Sequence, residues 1–109
     1  MAKKTARMAA GLRFGIVVAR FNQRITGMLL RACTDTLAHC GVAANDVQVV
    51  RVPGAFEMPL VARTMARANR FDAVICLGAV IRGDTPHFDY ICSEVSRGIG
   101  QASLETEVP

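Results

Sequence analysis

The run Ala73–Ile81 is apolar almost without interruption and ends in a glycine turn followed at once by helix-start chemistry. A parallel strand covered by helices on both faces has that composition. Past it, Gly83 permits a tight turn and close approach of a ligand, Asp84 or Thr85 can cap a helix, and Pro86 suits a first helical turn, where its missing N–H costs nothing. Unpaired amides at such a helix start, with the positive end of the macrodipole behind them, form a phosphate site. His87 would stand beside it. It is one of only two histidines, and an unperturbed pKa of about 6.5 suits proton transfer near neutrality.

The same alternation occurs twice more. Strand one is expected over Phe14–Ala19, followed by a helix capped by Asn22 with Ile25, Leu29, Ala32, Thr36 and Cys40 at near-helical spacing and Gly41 closing it. Strand two is expected over Val47–Val52; Pro53-Gly54 follows, and Pro59 is tolerable only in the first turn of helix two, which ends near Asn69. Strand three, Ala73–Ile81, leads to a helix from about Pro86 toward Ser103. Gly98 and Gly100 inside that helix each cost up to ~1 kcal/mol relative to alanine, which close packing would offset. Three strand-then-helix units without a linker imply a parallel sheet wrapped by helices, a three-layer α/β/α sandwich of flavodoxin-like form.

Composition narrows the function classes. With 109 residues and 51% hydrophobic content the chain has side chains enough for one core. Its apolar runs are strand-length, short of the ~20 residues needed to cross a bilayer, so no membrane role is read. The net charge of +4 resides in the first thirteen residues, where Lys3, Lys4, Arg7 and Arg13 meet no acid; the remainder holds nine basic and nine acidic residues. Residues 1–12 are therefore read as a flexible basic arm and 13–109 as the domain. With no basic stripe and no basic-aromatic alternation outside the arm, nucleic-acid binding is not indicated. Cys33, Cys40, Cys76 and Cys92 lack paired spacing and sit in apolar surroundings. They read as buried free thiols in a reducing cytoplasm, with neither disulfide nor metal site.

Ligands of open parallel sheets bind beyond the carboxyl ends of the strands. Three segments meet there: Arg20-Phe21-Asn22, Gly54-Ala55-Phe56-Glu57, and Gly78 through His87. Each has a plainer reading alone. Phe21 could be core, Glu57 could merely complement a helix dipole, and His87 could be a surface histidine. His39, near the end of helix one, is explained by that helix's negative pole and is given no chemistry. No G-x-G-x-x-G follows strand one, so a dinucleotide site is not indicated. The strand-one end offers Arg20-Phe21-Asn22 where a phospho-acceptor would want clustered aspartates.

Together these segments are specific. Arg20-Phe21-Asn22, Val52-Pro53-Gly54-Ala55-Phe56-Glu57-Met58-Pro59 and Gly78-Ala79-Val80-Ile81-Arg82-Gly83-Asp84-Thr85-Pro86-His87-Phe88-Asp89-Tyr90 closely resemble, in the right order, motifs of the lumazine synthase family of riboflavin biosynthesis. The resemblance runs from about Leu12 to Pro109. It implies a cofactor-free condensation of 5-amino-6-(D-ribitylamino)uracil with 3,4-dihydroxy-2-butanone 4-phosphate, in which phosphate leaves and water is lost on ring closure. By that likeness Phe21 stacks on the pyrimidine, backbone around Ala55, Phe56, Ala79, Val80 and Ile81 contacts ring and ribityl chain, and Glu57 holds ribityl hydroxyls. Asp84 and Thr85 meet the phosphate-bearing substrate and His87 transfers protons. A homo-oligomer, as a pentamer or a shell of pentamers, is implied too, with riboflavin synthase as a further partner.

Relatives continue for another strand and helix, which bring a phosphate-binding arginine and an aromatic residue for a neighbouring pocket. Neither has an equivalent here, and Glu107 replaces the usual helix-ending glycine before Val108-Pro109. The expectation is a domain lacking its last strand and helix, with a non-catalytic fragment that keeps ligand-binding and assembly surfaces as the alternative reading.

Overall fold

The structure, a computed structural model, describes residues 8–109. Its elements alternate: β1 (Phe14–Ala19), α1 (Gln23–His39), β2 (Val47–Val52), α2 (Met58–Arg67), β3 (Ala73–Leu77) and α3 (His87–Thr106), with short 3-10 turns at Ala44–Asp46 and Ala55–Glu57. The three strands form one parallel sheet in the order β2-β1-β3, with Ile16 opposite both Val49 and Ile75. The crossovers from β1 to β2 and from β2 to β3 step in opposite directions. Right-handed connections therefore place α1 and α2 on opposite faces, and α3 packs along α2. The sheet is thus the middle of three layers, as the sequence predicts.

Apolar residues on β1 meet cover on both sides, which is why a solid hydrophobic strand belongs at the centre. Ile16, Val17, Val18 and Ala19 are all buried. Val17, Ala19 and Val52 join Met58, Ala62 and Met65 of α2 in one core cluster, with Phe71, Val74 and Cys76 packed against it.

Several local expectations change. β3 stops at Leu77, four residues short of the apolar run, because Leu77 is the last residue paired with β1, opposite Val18. Gly78–Ile81 leave the sheet. On α1 the inward side is Thr26, Leu30, Cys33 and Leu37, whereas Ile25, Leu29, Ala32 and Thr36 are exposed. The helix is apolar on two adjacent faces, and periodicity alone selects the wrong one. The Asn22 side chain does not cap α1. Pro86 occupies the N-cap position of α3 and lies outside its first turn. Of the basic arm, residues 1–7 lie outside the described residues; Met8–Gly11 form a turn anchored by the Ala9 N–H, which donates to the Cys40 carbonyl at 2.9 Å.

The helix ends follow the expected chemistry. Gly41 closes α1 at φ 96°, Pro59 falls in the first turn of α2, and Asn69 follows that helix at φ 57°. Glu107 takes the left-handed position after α3 at φ 59° although it is not glycine, and its N–H still donates to Ser103 at 2.8 Å. Substituting Glu107→Gly should stabilise the fold by about 1 kcal/mol by removing that strain; a urea midpoint that does not rise would contradict it. Beyond it, the Pro109 carbonyl accepts the Val74 N–H of β3 at 2.9 Å.

Close packing explains one of the two helical glycines. A Cβ on Gly98 would lie 2.7 Å from Pro59 Cβ, backed by the rigid ring, whereas a Cβ on Gly100 meets nothing within 4 Å. Gly98→Ala should therefore cost about 1–3 kcal/mol by overpacking, and Gly100→Ala should stabilise by up to ~1 kcal/mol. Thermal or urea unfolding of the two variants checks the contrast; matched responses would show that α2 and α3 are not held at this distance.

Candidate active site

β1 and β2 run on together past the formal strand ends. The Arg20 N–H donates to the Val52 carbonyl at 2.7 Å and the Phe21 N–H to the Pro53 carbonyl at 2.9 Å. Phe21 is thereby set beside the Pro53-Gly54 turn. Asn22 then adopts left-handed backbone, φ 61° and ψ 47°, a conformation asparagine tolerates better than most residues. The chain turns sharply, α1 begins, and the Phe21 ring is left 68% exposed. With its side chain free of capping, Asn22 donates from Nδ2 to the Ala79 carbonyl at 3.1 Å. This bond ties the end of β1 to the segment leaving β3.

At the end of β2, Glu57 reaches back so that Oε1 accepts the Gly54 N–H at 2.9 Å. That is one half of a capping box. It holds the carboxylate in place and leaves its second oxygen able to accept from a ligand. At the end of β3, Ala79, Val80 and Ile81 form a wall. The chain then passes through Gly83, Asp84 and Thr85, whose N–H groups find no protein acceptor among the described residues. His87 opens α3. Its N–H donates to Thr85 Oγ1 at 3.4 Å, and the residue is exposed. Arg82 leans back on the helix start, its Cζ 4.4 Å from the Phe88 ring centroid and Nη2 3.5 Å from Asp89 Oδ1.

These segments enclose an open cleft of about 900 Å³. Eight of the expected site residues line it together: Phe21, Ala55, Phe56, Glu57, Ala79, Val80, Ile81 and His87. Asp84 and Thr85 do not; they lie on the exposed loop just before His87. Tyr90 and Ile91 also line the cleft and escaped the sequence reading. Their spacing of three and four from His87 was the available signal, since such positions share a helix face. Asn22 lines it as well, in the role of a tie.

Phe21, Phe56 and Tyr90 are 68%, 58% and 69% exposed. Large aromatic side chains left open around a concavity, with few polar groups, are the ordinary make-up of a small-molecule site. A flat heterocycle fits between such faces. The thiols stand apart from this chemistry. All four cysteines are free, and burial raises the Cys76 and Cys33 thiols above their ordinary values, so they remain protonated. Among the described residues no three metal-ligating side chains come together, and no helix is long and apolar enough to cross a membrane.

The cleft lies where the strand order reverses, between β1 and β3, which is the switch point at which doubly wound sheets bind ligands. Fold and cleft define a flavodoxin-like α/β protein with an open, aromatic-lined cleft at its switch point. The chain belongs to the 6,7-dimethyl-8-ribityllumazine synthase family, whose profile matches residues 11–109. It is 58% identical over 102 residues to the 6,7-dimethyl-8-ribityllumazine synthase of Syntrophus aciditrophicus (strain SB), a match covering 94% of this chain and 66% of that relative. The chain thus spans about two thirds of the length of that protein.

Proposed function

We propose that this protein condenses 5-amino-6-(D-ribitylamino)uracil with 3,4-dihydroxy-2-butanone 4-phosphate to 6,7-dimethyl-8-ribityllumazine, the penultimate step of riboflavin biosynthesis. The observation that carries this reading is the convergence of three strand ends on one cleft with His87 at a helix start, in a chain of this family. Phe21 stacks on the pyrimidine, backbone at Ala55, Phe56, Ala79, Val80 and Ile81 lines ring and ribityl chain, and the free oxygen of Glu57 accepts from ribityl hydroxyls. The amides of Gly83, Asp84 and Thr85 face the phosphate. Backbone is the apt donor there, because the Asp84 carboxylate would repel an anion.

Imine formation, loss of phosphate and ring closure all require protons to be moved, and none changes oxidation state overall. We assign that task to His87, which lines the cleft, and orientation there supplies much of the remaining acceleration. No cofactor is called for. The exposed Ile25, Met28 and Leu29 on α1 support assembly as a homo-oligomer, a pentamer or a shell of pentamers, with riboflavin synthase as a further partner. Four free thiols suit a cytoplasmic setting.

Mixing purified protein with both substrates tests the reading. Lumazine, followed by its fluorescence, should appear together with one phosphate per turnover, without added metal or nucleotide. Lumazine formation no faster than in a protein-free control would overturn it.

A further inference from the structure

The segment from Gly78 to Pro86 joins β3 to α3 without regular structure. At its first end it is held by Asn22, through the 3.1 Å bond to the Ala79 carbonyl. Val80 and Ile81 then line the cleft, and two side chains link the segment to the start of α3: Thr85, whose Oγ1 accepts the His87 N–H at 3.4 Å, and Arg82, which reaches past His87 to the next two residues. Its guanidinium lies over the Phe88 ring, Cζ 4.4 Å from the centroid, while Nη2 reaches Asp89 Oδ1 at 3.5 Å. Phe88 and Asp89 directly follow His87. Arg82 is not among the residues lining the cleft.

The Arg82 and Asp89 side chains are 67% and 66% exposed, so the pair adds little to stability. Its effect is geometric. A guanidinium can lie flat on an aromatic ring and offer an N–H to a carboxylate at the same time, which makes it a two-point clamp. We propose that Arg82 is a positioning residue: by clamping Phe88 and Asp89 it sets the distance between the Val80-Ile81 wall, where one substrate lies, and His87, which moves protons for the reaction. This rests on the reading of His87 given above.

Reacting groups displaced by about 1 Å lose on the order of 10²-fold in rate. Arg82→Ala should accordingly lower kcat by roughly 10- to 100-fold and leave KM for both substrates within about threefold. Arg82→Lys should keep most of that deficit, since an ammonium cannot stack flat and reach Asp89 together. Phe88→Leu should fall in the same direction. The double variant should be no worse than Arg82→Ala by more than about twofold, because the two side chains act as one unit.

A second readout needs no turnover. With only two histidines in the chain, the imidazole C–H signals resolve by NMR, and Arg82→Ala should shift that of His87 while the His39 signal stays in place. A tenfold rise in KM for the butanone phosphate at unchanged kcat would make Arg82 a direct substrate contact and overturn the proposal. Losses that multiply in the double variant, or an unmoved His87 signal, would overturn it as well. If the unsubstituted protein forms no lumazine, the functional reading fails by itself, and the His87 signal alone decides whether the clamp exists.

Discussion

Replacing His87 by alanine is expected to reduce kcat by roughly 10²-fold to 10⁴-fold, the range for a lost general acid–base, with little change in KM and none in thermal stability. The split follows from where the side chain stands. It is exposed at the first residue of α3, lines the cleft, and makes no side-chain hydrogen bond to the rest of the described residues. Truncation therefore opens no cavity in the core, and the helix start keeps its backbone geometry. What disappears is a group that can give or take a proton. Steady-state kinetics with thermal unfolding checks both halves, and added imidazole should restore part of the rate. Full turnover with a lowered Tm would make His87 a structural residue.

Phe21→Ala is expected to weaken a ribitylated pyrimidine analogue by about 1–3 kcal/mol, borrowing the scale of base–aromatic stacking, and to leave inorganic phosphate binding as it was. The ring is 68% exposed in the free protein, so its removal subtracts little from folding. Its placement comes from backbone, through the Phe21 N–H on the Pro53 carbonyl and the left-handed turn at Asn22. Calorimetric titration with each ligand separates the cases. Equal losses for both would mean that the β1 end is disturbed and stacking is not what the variant reports.

Much of this was legible in the residues. Apolar runs bounded by turn residues placed β1 and β2 at their observed limits, and the Gly41 and Pro59 signals marked helix ends correctly. Three of the misses share a cause: each depended on a partner distant in sequence. Ala73–Ile81 is one apolar run, but its ladder with β1 ends at Leu77 opposite Val18, one residue before β1 itself ends, and the last part of the run becomes cleft wall. Asn22 has the chemistry of a cap, yet its backbone is left-handed where a cap needs extended geometry, and its Nδ2 donates to the Ala79 carbonyl 57 residues away. On α1 two adjacent apolar faces existed, and only the tertiary fold says which turns inward. The cleft-lining residues on strand ends were readable because the rule for open sheets is topological. Tyr90 and Ile91 belong to the helix face that follows His87.

The Asn22 to Ala79 tie gives the cleft a particular standing during folding. β1 and β3 are neighbours in the sheet but are separated in the chain by the whole β2 excursion, so their seam is a long-range contact of the kind that slows assembly and forms after local structure. The binding site is built on that seam. It cannot exist in a partly folded chain that has only β1, α1 and β2 in place, and a ligand recognises the finished sheet alone. Ligand at a hundred times its Kd would then add about 2.7 kcal/mol to the completed state, felt by β3 and α3 as fully as by the residues it touches. In such a molecule, occupancy of the cleft is also a quality check on the fold.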